Sequence, residues 1–115
     1  MLLTSSIIED DIKVLSLAGR MDLTGSREID ASFSQAMTGE AVNIIVDLSG
    51  VEFMASVGIG LLVRAANTLL LGHGKIVLMG PRPQVQNALE ATFVHKVIPI
   101  VNDIESAKSY LKKLI

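Results

Sequence analysis

From Val42 to Leu48 the chain is dominated by Val, Ile and Leu, a run of one strand's length whose composition suits a strand covered on both faces of an α/β sheet. The pattern breaks at Ser49-Gly50 and again between Met54 and Gly58, after which Ile59 to Leu71 repeats apolar residues at helical spacing. On a helical wheel Ile59, Leu62, Val63, Ala66, Leu69 and Leu70 share the face expected to pack on the sheet, while Leu61, Arg64, Ala65 and Thr68 point the other way. A strand end, a helix start and the hydroxyl of Ser56 therefore meet at one point.

Around this centre the other elements follow from local pattern. Leu2 to Ile8 and Ile12 to Ala18 are short apolar segments separated by Glu9-Asp10-Asp11, which predicts an amino-terminal hairpin. Lys13 and Ser16 fall on opposite faces, as expected near the edge of a sheet. Gly19 ends that strand, and Arg20 to Ser26 forms a polar connection containing Asp22, with Thr24 and Ser26 as candidate helix caps. Ile29, Phe33, Ala36 and Met37 then make one apolar helical stripe closed by Gly39. After the Gly72-His73-Gly74 turn, Lys75 to Met79 is a strand, and Pro83 starts a helix whose inner face is Val85, Leu89 and Phe93. Val97 to Val101 is the last strand. Asn102 with Glu105 has the spacing of a capping box for a closing helix carrying Ile104, Ala107, Leu111 and Leu114 inward. The sum is a single α/β domain over residues 1–115: a mixed, mostly parallel five-stranded sheet with four helices.

Composition narrows the function classes. The hydrophobic half of the chain includes three Phe and one Tyr, so the core is aliphatic. Ten basic residues against twelve acidic ones leave a net charge of -2, without the electrostatic footprint of a nucleic-acid binder. With no cysteine and two separated histidines there is no thiolate metal site and no disulfide. The stretch MLLTSSIIEDD lacks the basic lead and apolar core of a signal peptide, and Arg64 and Asn67 interrupt the longest apolar run, so a cytoplasmic protein without membrane insertion is expected.

Read locally, the candidate chemistry is modest. Ser56 at a helix start is most simply a cap, and Asp22 a turn residue satisfying backbone donors. Gly58 and Gly60 lack the third glycine of a dinucleotide fingerprint and the lysine of a phosphate loop, which leaves close backbone packing as their role. No G-x-S-x-G elbow surrounds Ser56 and no motif ties His73 or His95 to it, so a small serine hydrolase is the remote reading. Leu61, Arg64, Ala65 and Thr68 are either scattered surface residues or a small contact patch beside Ser56.

The segment Val46-Asp47-Leu48-Ser49-Gly50-Val51-Glu52-Phe53-Met54, continued by Ala55-Ser56-Val57-Gly58-Ile59-Gly60, resembles the signature of the STAS domain, in particular that of bacterial anti-sigma factor antagonists. The family pattern runs D-L-S-x-V-x-F-x-D-S-S-G-L-G. The resemblance extends to Gly19-Arg20-Met21-Asp22 and to Pro83-Gln84-Val85 with Leu89 and Thr92, and so covers almost the whole chain. It implies a non-enzymatic binding module with no cofactor of its own, whose partners are an anti-sigma factor that is also a serine kinase and a cognate phosphatase. Ser56 matches the serine that the kinase phosphorylates. The candidate partner-facing residues are Asp22, Thr24, Ala55, Ser56, Val57, Gly58, Leu61 and Arg64, of which Asp22 and Ser56 match family positions and Leu61 and Arg64 belong to the patch beside Ser56. Two positions depart from the pattern: Ala55 replaces the usual Asp, and Val57 replaces Ser or another small residue. Ala55 leaves two readings open, a kinase with altered recognition or a domain that binds without being phosphorylated. The second would suit a STAS subunit of another assembly, such as the cytoplasmic partner of a lipid transporter.

Overall fold

The structure is a computed structural model that describes residues 1–112. Strands β1 (Leu2–Ile8) and β2 (Ile12–Met21) form the expected antiparallel hairpin, in register from Leu2 opposite Ala18 to Ile8 opposite Ile12. A single 3-10 turn, Glu9–Asp11, closes it. Then come α1 (Leu23–Ala36), β3 (Asn43–Met54), α2 (Ser56–Leu71), β4 (Lys75–Met79), α3 (Pro83–Ala91), a second 3-10 turn at Val94–Lys96, β5 (Ile100–Val101) and α4 (Ile104–Lys112). The sheet runs β1-β2-β3-β4-β5, with every pair after the hairpin parallel. Each parallel connection passes through a helix, as parallel neighbours require. Among the described residues no helix is long and apolar enough to cross a membrane.

Alternation along β3 divides the core. Ile44, Val46 and Leu48 join the larger cluster with residues of α1, α2 and α3, whereas Ile45 joins a smaller one with Ile12, Val77 and two α4 residues, Ala107 and Leu111. Successive strand side chains point to opposite faces, so three helices cover one side of the sheet and α4 covers the other. Ion pairs tie α4 down: Glu9 receives Lys108 Nζ at 2.6 Å and Lys112 Nζ at 2.8 Å. These ammonium donors, Lys108 first, lower the Glu9 carboxyl to about 2.

Several boundaries depart from the sequence expectation. Gly19 does not end β2. It sits at φ +113 within the strand, where a side chain would be strained, and the ladder shifts register there and continues to Met21. That extension gives β3 a partner beyond Ser49-Gly50, so β3 does not break there and pairs through Ala18–Gly50 to Met21–Met54. On α2 the wheel assignment of Leu61 and Ala65 to the outer face is wrong. Both are 4% exposed in the main core because α1 packs beside α2, while Leu70, assigned inward, is 73% exposed. Phe93 lies beyond α3 in a left-handed conformation and is exposed, so only Val85 and Leu89 of its predicted face are buried. The last strand shrinks to Ile100–Val101, since Val94–Lys96 coils and Pro99 has no N–H to give the ladder. Asp103, rather than Asn102, caps α4, its Oδ1 accepting from Ser106 N at 2.8 Å. Leu114 lies outside the described residues.

Candidate functional site

Strands β2 and β3 end level with each other, Met21 opposite Met54, and each passes through one residue into a helix. Two helix N-termini therefore emerge side by side from one end of the sheet. The N–H of Ala55 donates to the carbonyl of Met21 at 3.0 Å and joins the two exits. The packing is close: a Cβ at Gly58 would lie 2.7 Å from Met21 Cγ, and one at Gly25 only 2.0 Å from the carbonyl oxygen of Arg20. At Gly25 glycine is a requirement of backbone approach, whereas at Gly58 it leaves room for the Met21 side chain.

The α1 end is closed by its own side chains. Asp22 is extended and is the N-cap, its Oδ1 accepting from Gly25 N at 2.8 Å. This replaces the expected caps Thr24 and Ser26, which lie inside the helix because it starts earlier, at the carboxylate of Asp22. The Gly25 N–H, and after it the charge of Arg20, hold the Asp22 carboxyl below its ordinary value. Arg20 Nε lies 3.6 Å from Asp22 Oδ2, and its guanidinium sits over the Phe53 ring at 4.4 Å from the centroid.

The α2 end is different. Its N-cap is Ala55, extended at φ -92 and ψ 172, with no side-chain bond to the helix. The Ala55 carbonyl accepts from Gly58 N at 3.0 Å and Ile59 N at 3.2 Å, which leaves the N–H groups of Ser56 and Val57 without an intrahelical acceptor. Ser56 is the first helical residue and is exposed, so it is not the cap that its local pattern suggests. Its hydroxyl stands at the positive end of a sixteen-residue helix, where an anion is favoured. His73 follows the far end of that helix, about 24 Å away along its axis, too distant to serve Ser56 as a base.

The other candidates divide. Asp22 and Thr24 open α1 next to Ser56 and Val57, which open α2, with Ala55 between the strand end and Ser56. Gly58 and Leu61 are buried. Arg64 is exposed on the α1 side and pairs with Asp30 at 2.7 Å. Between the helices runs a groove of about 440 Å³ lined by Leu23, Ser26, Arg27, Asp30, Val57, Gly60, Leu61 and Arg64. Leu23, Asp30, Arg20 and Phe53 were not legible as site residues. Arg20 and Phe53 lie more than thirty residues apart and meet only because the β2–β3 register places them opposite each other.

Comparison with known proteins agrees with this geometry. The family model for the STAS domain matches residues 5–107. The anti-sigma F factor antagonist of Lysinibacillus sphaericus is 31% identical over 78 residues, 67% of each chain. Among solved structures, an anti-sigma-factor antagonist (STAS) domain protein from Planctomyces limnophilus is similar at TM-score 0.86 and 25% identity, over 96% of this chain and 98% of that one. The anti-sigma factor antagonist SpoIIAA in its unphosphorylated form is similar in fold at TM-score 0.80 and 23% identity, over 99% of both chains. With its mixed five-stranded sheet, its paired helix starts and a family match over nearly its full length, this chain belongs to the STAS domain family.

Proposed function

We propose that this protein is an anti-sigma factor antagonist whose unphosphorylated form binds an anti-sigma factor, a serine kinase, and thereby frees a sigma factor. The kinase phosphorylates Ser56 with its own ATP, the modified domain lets go, and a phosphatase restores it. One observation carries the reading: Ser56 is exposed at the uncapped start of α2, with two N–H groups beside it that lack intrahelical acceptors. A phosphoryl group adds about 1.5 to 2 negative charges. The helix end receives them without disturbing the core, so the cost of the charge falls on the partner's surface. A dianion buried there without a matched cation costs far more than the 1.4 kcal/mol of a tenfold loss in affinity. On this reading the contact surface is formed by Asp22, Thr24, Ala55, Ser56, Val57 and Arg64, and the buried Gly58 and Leu61 support it from beneath.

Ala55 favours a second reading, a STAS subunit held constitutively in another assembly, because it supplies neither a cap nor a carboxylate beside Ser56. Affinity capture from the source cells with Ser56→Ala and Ser56→Asp baits, read by mass spectrometry, separates the two. A kinase-type anti-sigma factor held by the Ala bait and lost by the Asp bait is the expected result. The same transporter subunits on both baits would overturn the switch and establish the second reading.

A further inference from the structure

The two edges of the sheet are protected very differently. On one side β5 is two residues long, with Pro99 before it and Asn102-Asp103 after it, which offers no template for pairing. On the other, β1 is a regular seven-residue strand that pairs among the described residues with β2 alone, so its outer row of N–H and C=O groups has no strand partner. Its ladder with β2 is continuous, without a bulge. Leu-Leu-Thr-Ser-Ser-Ile-Ile contains no charge and no proline, the usual devices that keep an edge from pairing. Leu2 and Ile7 are 62% and 67% exposed.

The order of these residues selects the occupant. About Ser5 the strand reads the same in both directions by character: Leu2 mirrors Ile8, Leu3 mirrors Ile7, and Thr4 mirrors Ser6. An antiparallel pairing of β1 with another β1 about a two-fold axis at Ser5 places each aliphatic residue opposite an aliphatic one and each hydroxyl opposite a hydroxyl. No charge meets its like. A slip of one residue would set Leu or Ile against Ser or Thr on both faces, so the pattern also specifies register. The exposed Leu2 and Ile7 gain partners in Ile8 and Leu3 of the second copy, and an isologous two-fold contact closes on itself as a dimer.

We propose that β1 is a homodimerisation edge, and that two copies of this chain join antiparallel about Ser5 into one continuous sheet. The interface lies on the hairpin strand farthest from the β3–α2 junction, separated from it by β2, so each copy keeps its Ser56 end open. The test uses the full chain. Sedimentation equilibrium over a wide concentration series is expected to give a monomer–dimer equilibrium. Ser5→Lys, at an exposed position that opposes itself in the dimer, raises the dissociation constant about tenfold or more, as like charges directly opposite disfavour pairing. Because the chain has no cysteine, single-cysteine variants report register directly. With oxidised glutathione, Ser5→Cys forms a disulfide-linked dimer and Leu2→Cys, which faces Ile8 of the other copy, does not. A chain monomeric at every concentration would overturn the proposal. Equal cross-linking of the two cysteine variants, or a Ser5→Lys form with native circular dichroism and an unweakened dimer, would do the same.

Discussion

The starts of α1 and α2 are neighbours with the same surroundings and opposite treatment. Both follow a single linking residue after strands that end in register, and both rest on a glycine pressed against β2. At α1 the linking residue is Asp22, whose carboxylate takes the Gly25 N–H and leans on Arg20, so the local positive end of the helix is already neutralised. At α2 it is Ala55, which contributes its carbonyl and nothing from its side chain, and the positive end faces solvent beside the Ser56 hydroxyl. A fold that needs both helices for its core thus completes one start with a side chain and leaves the other without one.

The largest effect that tests this comparison is steric. Gly25→Ala drives a methyl group to 2.0 Å from the Arg20 carbonyl oxygen, a backbone atom that cannot rotate aside. It is expected to cost about 4 kcal/mol or more in urea unfolding, above the usual range for overpacking. A loss within experimental error of zero would mean that α1 does not start where described. Next comes Leu61→Ala, in the seam between the two helices, expected to destabilise by about 3 kcal/mol. If Leu61 were instead part of a surface contact patch, its truncation would leave unfolding almost unchanged and weaken only partner binding.

Smaller changes sharpen the contrast between the caps. Ala55→Asp supplies α2 with the kind of cap α1 already has, at an extended backbone position that accepts it, and should stabilise the domain by about 1 kcal/mol. Thermal melts that show no gain would indicate that the α2 start is not an unfilled cap site. The smallest effect is in acid. Because the folded-state pKa of Asp22 is lowered, its contribution is fully present above the unfolded value and is lost as pH falls through the lower folded value. Asp22→Asn should therefore flatten that part of the decline in melting temperature. Glu9→Gln should remove a separate part that extends down to about pH 2, where the folded Glu9 titrates. An acid limb identical in the wild type and Asp22→Asn would exclude the cap as its source.

Local pattern made much of this molecule readable. The aliphatic run of β3, the Ile29 and Phe33 stripe of α1 with Met37 just past its end, and the helix starting at Pro83 all appear where short-range periodicity and turn chemistry place them. Ser56 at the opening of a helix was legible in the same way, because a run of small residues between a strand and an amphipathic stretch leaves few alternatives. Asp22 was legible as a residue satisfying local donors, but not as the cap, since Thr24 and Ser26 close behind it have equally suitable side chains and sequence alone does not rank them.

Where the reading failed, the deciding contact came from elsewhere in the chain. Ser49-Gly50 looks like a break by composition, yet the Ser49 N–H donates to Asp47 Oδ1, its carbonyl accepts from Arg82 Nε, and Gly50 pairs with Ala18 of β2, so the strand continues. Leu61 and Ala65 look outward on a wheel centred on the sheet, yet α1 covers them and extends the buried arc of α2 past one face. Arg20 stacks on Phe53 through strand register. The sequence by itself determined the elements, their order and the small-residue start of α2, because these depend on spacings of a few residues. Tertiary structure alone decided which faces are covered, how far the strands extend and that the two helix starts lie side by side, because each depends on a neighbour supplied by a distant part of the chain.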